Sequence, residues 1–268
     1  MTIRLLGTGA ADGIPALYSD SEVSRYAREH GGKDVRTRSA ALVDGHLKLD
    51  LPPDTHAQLI RDKLDARDWS AILFTHSHAD HFAVEELQYA LIPFNPFEYA
   101  GFAIFGNAEI CRRIRHAYPD WPFELHETHS TVPFVHAEYT ITPIHAYHKL
   151  EEDAHNFIIQ DGQKTLLYGT DTGIWEEKTW DFLKQFTLDG LVIECTDGFC
   201  GTDYDGHLDI QECISVVERL RSQGTVASHT AIFTTHHGHN GKATHSQLEE
   251  ALLPVGIQVG FDGVEFTI

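Results

Sequence analysis

The stretch from Ala71 to His81 constrains this chain more than any other. Ala71-Ile-Leu-Phe-Thr75 reads as a buried strand and runs straight into His76-Ser-His78-Ala-Asp80-His81, three imidazoles and one carboxylate within six positions. One metal ion does not easily use four ligands from so short a loop, but two adjacent ions can share them. The spacing therefore predicts one half of a binuclear site. Imidazole and carboxylate suit zinc, manganese or iron, and no thiolate is present to select a softer ion. A merely histidine-rich surface loop is a poor alternative, because this one starts where a buried strand ends and leads into a helix.

The rest of the chain must fold into something that holds such a loop rigidly. Three Asp-Gly pairs, at Asp44-Gly45, Asp161-Gly162 and Asp262-Gly263, each lie between apolar or alternating runs and predict hairpins, because type I′ turns need positive φ at both central residues. Helices are expected over 54–64 with Asp54 as N-cap, and near 83–92, 107–117, 176–185 and 209–222. Strand candidates Ala71–Thr75, Thr165–Gly169, Leu191–Glu194 and Ile232–Thr235 end in polar or histidine-bearing loops, where a scaffold usually carries its functional groups. The pattern is α/β with mixed sheets. No repeat or Pro/Gly/Ser linker divides it, so residues 1–268 are expected to form a single domain.

Charge narrows the function. Lys and Arg total 20 against 40 Asp and Glu, a formal charge of -20, which repels polyanions and weighs against a nucleic-acid polymer or an anionic membrane as partner. The 19 histidines nearly equal all Lys and Arg together, and imidazole is both a metal ligand and a near-neutral acid or base. Cys111, Cys195, Cys200 and Cys213 have no C-x-x-C spacing and are too sparse for a disulfide framework. With no secretory pattern at the N-terminus and no apolar run of about 18 residues, the chain is expected to be cytoplasmic.

With these residues in view, the chain resembles the metallo-β-lactamase-fold hydrolases, whose signature Thr-His-x-His-x-Asp-His stands here as Thr75 to His81. Leu6-Gly7-Thr8-Gly9-Ala10-Ala11 with Gly13-Ile14-Pro15, Gly169-Thr170-Asp171-Thr172 and Gly260-Phe261-Asp262-Gly263-Val264-Glu265 make it most similar to the cyclic-phosphate phosphodiesterases of phosphonate catabolism, in the carbon-phosphorus lyase pathway. Ribonuclease Z is a more distant resemblance. The resemblance implies a four-layer αββα sandwich with two divalent metal ions, manganese or zinc with iron as a further choice. In Pro143-Ile-His145-Ala-Tyr-His148-Lys149 two histidines compete, and spacing does not choose between them; the family pattern favours His148. Carried over, one metal takes His76, His78 and His148, the other takes Asp80, His81 and His236, and Asp171 bridges. Two divalent ions then leave a net positive centre that attracts a small phosphodiester, with a metal-bridging hydroxide as nucleophile. His237 and His239 stand beside that last ligand.

His207, in Asp205-Gly206-His207-Leu208-Asp209, matches a histidine that phosphodiesterases of this superfamily place beside the substrate, which implies a general acid and phosphate stabiliser. Arg36, Arg38 and Lys149, with Lys33, are candidates for substrate contacts. One departure is plain: the family's separate structural zinc uses three cysteines and a histidine, and the aligned positions here are Ser19, Ser21, Ser24 and His239. Serine hydroxyls do not make a zinc thiolate site, so segment 17–36 must be ordered by packing or a partner chain. A homodimer is the family-based expectation. The competing functions are lactone or thioester hydrolysis on the same metals and ribonuclease Z-like processing of RNA.

Overall fold

The computed structural model describes residues 1–91, 93–94, 101–121 and 123–268. In chain order the elements are β1 (Thr2–Gly7), α1 (Glu22–His30), β2 (Ala40–Val43), β3 (Leu47–Leu49), α2 (Thr55–Asp62), β4 (Ala71–Leu73), β5 (Ala103–Gly106), α3 (Ala108–Ala117), β6 (Glu124–Glu127), β7 (Phe134–His136), β8 (Tyr139–His145), β9 (His155–Gln160), β10 (Thr165–Gly169), α4 (Glu177–Leu183), β11 (Leu188–Glu194), α5 (Ile210–Ser222), β12 (Val226–Thr235), α6 (His245–Leu252), β13 (Gln258–Val259) and β14 (Glu265–Thr267).

Among the described residues the strands form two seven-stranded sheets, ordered β14-β1-β2-β3-β4-β5-β6 and β13-β12-β11-β10-β9-β8-β7. Both are mixed. Antiparallel pairing runs from β14 to β3 and parallel pairing from β3 to β6. In the second sheet β7 to β10 are antiparallel, while β10 to β13 are parallel.

Side chains alternate across each strand, and both faces are apolar. Ile3, Leu5, Leu47, Leu49 and Leu73 meet Tyr139, Phe157, Ile159, Leu166 and Tyr168 between the sheets. The opposite faces bury against helices: Ile158, Leu167, Leu191 and Ile193 against Trp180 of α4 and Val216, Val217 and Leu220 of α5, and Leu42, Ile72 and Ile104 against Ile110 and Ile114 of α3. Helix, sheet, sheet and helix are the four expected layers.

The hairpin reading holds at Asp44-Gly45, which joins β2 to β3, and at Asp161-Gly162, which joins β9 to β10. Asp262-Gly263 is corrected, because it carries the chain from β13 in one sheet to β14 in the other. The Asp262 carboxylate accepts from Thr8 N, Thr8 Oγ1, Thr37 N and Thr37 Oγ1 at 2.6–2.9 Å, so it ties loops together. Asp54 does not cap α2; its carboxylate pairs with Arg38 at 2.9 Å. The element expected near 83–92 is a 3₁₀ turn over Val84–Ala90, and residue 92 lies outside the described residues. Helices α1 and α6 are additional to the sequence reading. No helix among the described residues is long and apolar enough to cross a membrane.

Candidate metal centre

The loop after β4 is fixed at both ends by one carboxylate. Asp50, directly after β3, accepts from Thr75 N at 2.8 Å, from Thr75 Oγ1 at 3.0 Å and from His81 Nδ1 at 2.7 Å, and it is fully buried. The parallel register of β3 and β4 puts this residue beside the loop. Asp171 leaves β10, His236 leaves β12, and His148 lies three residues beyond β8. Asp50, Asp171 and His236 have φ of 59°, 47° and 56°. Such left-handed conformations are unfavourable for non-glycine residues and cluster at functional sites.

The outer nitrogen of each ring but His78 has a partner that sets its tautomer. His81 Nδ1 donates to Asp50, His148 Nδ1 to Gly206 O at 2.9 Å, and His76 Nδ1 to Thr75 Oγ1 at 3.0 Å. His236 Nδ1 donates to Thr196 Oγ1 at 2.9 Å, and that hydroxyl donates to Glu194 at 2.6 Å. The inner lone pairs then converge. His78 Nδ1 lies 2.9 Å from His76 Nε2 and 3.1 Å from His148 Nε2, and His81 Nε2 lies 3.4 Å from His236 Nε2. Asp171 Oδ2 is 3.2, 3.1 and 3.5 Å from the Nε2 atoms of His76, His81 and His148. Its Oδ1 stands 2.7 Å from His236 Nε2 yet has no hydrogen-bond donor. Asp80 Oδ2 is 3.2 Å from His81 Nε2 and 3.6 Å from His236 Nε2.

These atoms form two groups, His76/His78/His148/Asp171 and Asp80/His81/Asp171/His236, which share Asp171. Ligand atoms about 2.0–2.1 Å from a tetrahedral ion stand roughly 3.3 Å apart, close to the spacings seen. Lone pairs facing lone pairs are what a cation relieves, so the residues fit divalent metal ions. The electrostatics agree. Burial opposes charge on His236, but Asp171 and Asp80 push it up to about 10, while burial and the neighbouring His81 push His76 down to about 3. Burial would raise the Asp171 carboxyl, but His236, His81 and His148 hold it well below the ordinary range. The site calls for positive charge.

His207 lines the same cavity of about 510 Å³ as His78, Asp80, His148, Asp171 and His236. Its ring centroid is 4.8 Å from that of His148 and 5.4 Å from that of His236. His207 Nδ1 donates to Glu194 Oε1 at 2.9 Å, which leaves Nε2 without a proton unless the ring is charged. Burial disfavours the imidazolium, but Glu194 outweighs it and raises the His207 pKa. Glu194, fully buried, also accepts from Thr172 N at 2.8 Å and Leu208 N at 3.0 Å. Glu194, His207 and His236 could themselves group round an ion; the donors already spent on Glu194 make it a hydrogen-bond acceptor instead.

Of the two competing histidines, His148 is in the cluster and His145 is outside it, its Nδ1 3.9 Å from Glu176. None of the four basic candidates lines the cavity that holds the cluster, and each is bonded within the protein, Lys33 to Glu249 at 3.2 Å. Arg36 is 3% exposed and donates to Thr8 Oγ1, Gly260 O and His245 Nδ1. Arg38 pairs with Asp54, and Lys149 bonds Ser77 Oγ at 2.5 Å and pairs with Glu152 at 3.3 Å. In place of the cysteines, Ser21 Oγ lies 3.0 Å and Ser19 Oγ 3.4 Å from His239 Nδ1, and His239 Nε2 lies 2.7 Å from Asp12. Sequence reasoning missed Asp50, Glu194 and Thr196. For Glu194 the available signal was a carboxylate ending the apolar run 191–193.

Two packed mixed sheets, helices on their outer faces and a His/Asp cluster at one end define a metal-dependent hydrolase of the metallo-β-lactamase fold. The family described as Beta-lactamase superfamily domain matches residues 43–230, and the chain belongs to that superfamily. Among solved structures, a diphosphatase of the PhnP family is similar at 22% identity, TM-score 0.78, over 100% of this chain and 97% of that one. Zinc-bound PqqB from Methylobacterium extorquens is similar at 16% identity, TM-score 0.78, over 100% of both chains. The short form of human tRNase Z gives 18% identity, TM-score 0.65, over 100% and 99%. No curated protein matches the sequence.

Proposed function

We propose that the chain is a binuclear metal-dependent phosphodiesterase that opens small cyclic phosphates of the ribosyl or 2′,3′-cyclic nucleotide type. The observation that carries this reading is His207, held by the buried Glu194 in the same cavity as the shared His/Asp cluster. His76, His78, His148 and Asp171 would hold one ion, and Asp80, His81, His236 and Asp171 the other. Manganese or zinc, or iron, bound there supplies Lewis acidity to phosphoryl oxygens and a water acidified enough to act as nucleophile near neutral pH.

The chain's own residues do the rest. Glu194 fixes the His207 ring and favours its protonated form, so Nε2–H can meet the departing alkoxide, a contribution typically worth about 10²–10⁴-fold. The buried cluster orders its ligands through Asp50, Thr75, Thr196 and Gly206. The 510 Å³ cavity suits a small substrate, and the charge of -20 weighs against RNA. The similar PhnP-family structure is named a diphosphatase, which supports chemistry at a phosphoryl group. With all four cysteines free, we place the reaction in the cytoplasm and assign it to one domain spanning the chain.

The test is hydrolysis of bis(p-nitrophenyl) phosphate and a 2′,3′-cyclic nucleotide by metal-stripped protein with manganese or zinc added back, beside a lactone and a thioester. Metal-dependent turnover of the phosphodiesters, abolished in His207→Ala with metal retained, is expected. Turnover of only the lactone or thioester moves the chain to that reaction.

A further inference from the structure

The inference deepens, and rests on, the phosphodiesterase reading. The cavity holding the His/Asp cluster continues past His207 to Asp197, Asn240 and Asp12, and no lysine or arginine lines it. Arg36, Arg38 and Lys149 are committed elsewhere, as described above. Beyond the metal cluster and His207, the wall's ionisable side chains are Asp12, Asp197, Tyr204 and His239, and His239 is already paired with Asp12 at 2.7 Å, so none is left to neutralise a second anionic group.

Asp197 is the distinctive member of that wall. It is 9% exposed, and its backbone is pinned by Asp197 N to Leu208 O at 3.0 Å and by Cys200 N to Asp197 O at 2.8 Å. One carboxylate oxygen accepts from Thr202 Oγ1 at 3.0 Å. The other has no hydrogen-bond donor among the described residues. Burial raises the Asp197 carboxyl above its ordinary range, against the lowering pull of Thr202 and His207. Asp197 lines the cavity, so a ligand hydroxyl that enters it can donate to that oxygen. An anion in the same place meets the like charge of Asp197.

We propose that Asp197 is the specificity-determining residue of this pocket: its free carboxylate oxygen accepts a hydrogen bond from a hydroxyl on the alcohol portion of the phosphodiester, and the same wall rejects a substrate that carries a second phosphate there. Sites built to bond a hydroxyl discriminate strongly against analogues that cannot supply it, and a like charge opposite the ligand adds a repulsive element.

The experiment compares cytidine 2′,3′-cyclic phosphate, which has a free 5′-hydroxyl, with its 5′-phosphorylated counterpart in the metal-loaded protein. The wild type is expected to favour the hydroxyl compound by about tenfold or more in kcat/KM. Asp197→Asn should narrow the ratio about tenfold and Asp197→Lys reverse it, both with bound metal retained. In parallel, calorimetric titration with cytidine 3′-monophosphate and cytidine 3′,5′-bisphosphate gives the same ratio without turnover. A wild type that prefers the phosphorylated ligands, or a ratio unmoved by Asp197→Asn, overturns the assignment. Turnover with an unmoved ratio leaves the phosphodiesterase reading standing and removes Asp197. A binding ratio that responds to Asp197→Asn, with no turnover of any phosphodiester, keeps Asp197 and removes the reaction.

Discussion

Glu194 shows how much one buried carboxylate can organise. It accepts from the backbone on either side of the site, at Thr172 and Leu208, and from the side chains of Thr196 and His207. Through Thr196 it also orients His236. A Glu194→Gln variant keeps the shape but withdraws the charge that raises the His207 pKa. A general acid works while protonated, so its raised pKa carries wild-type activity to higher pH. Glu194→Gln is expected to lower kcat by about 10²-fold and to move the alkaline limb of the kcat profile to lower pH; a profile that falls in height without shifting would show that Glu194 only supports the fold. The ligand assignment has its own check: Asp80→Ala and Asp171→Ala should each reduce bound metal measured by atomic emission, whereas His207→Ala should not. The four ligands from His76 to His81 could be read from the sequence because one loop carries them side by side. Asp50 and the role of Glu194 could not, since the histidines they hold lie 31 and 13 residues away and meet them only in the folded chain.

At the scale of elements, α1 is one of the two helices, with α6, that the sequence left unread. Its segment carries few apolar residues, and only Val23, Ser24 and Ala27 are buried. Val23 and Ala27 pack with Ile14 in a small apolar cluster, and polar contacts add to it. Ser21 caps the helix through Ser24 N at 3.2 Å and also reaches His239, which in turn meets Asp12 at the cavity wall. Ser21→Ala should therefore destabilise the protein by about 1 kcal/mol or more, the usual worth of a lost cap, and expose Arg25 and Arg28 to limited trypsinolysis. Urea midpoints and cleavage rates equal to wild type would mean that packing alone holds the segment. Elements with a strong local signal were legible. Asp209 caps α5 in a capping box with Glu212, and Asp44-Gly45 and Asp161-Gly162 close hairpins. Asp262-Gly263 carries the same dipeptide, but its carboxylate is spent on Thr8 and Thr37, and which sheet a short terminal strand joins is decided by tertiary pairing.

Across the whole molecule, stability and charge meet at Lys48. The chain carries -20, yet this lysine is fully buried on the outer face of β3, where its register partners are Leu42 and Ile72. Its ammonium donates to Leu49 O at 3.2 Å and to Asp50 O, and sits 5.7 Å from the centre of the Trp69 ring. Burial outweighs the pull of Asp50 and lowers the Lys48 pKa to about 7. An unfolded lysine titrates near 10.4. Between about pH 7 and 10, then, the unfolded chain binds a proton that the folded one has released, and stability gained from this group rises with pH. Below about pH 7 both states are charged, and the penalty of burying the ammonium is present in full. Lys48→Met removes the titration while keeping an unbranched apolar stem. Unfolding free energies from urea at pH 7, 8.5 and 10 should show the wild type gaining on Lys48→Met by up to about 1.4 kcal/mol per pH unit across that window. Parallel curves would show that Lys48 keeps its proton in the folded state. In that case the two backbone carbonyls and the Trp69 face solvate the ammonium well enough to offset its burial within the apolar layer between sheet and helices.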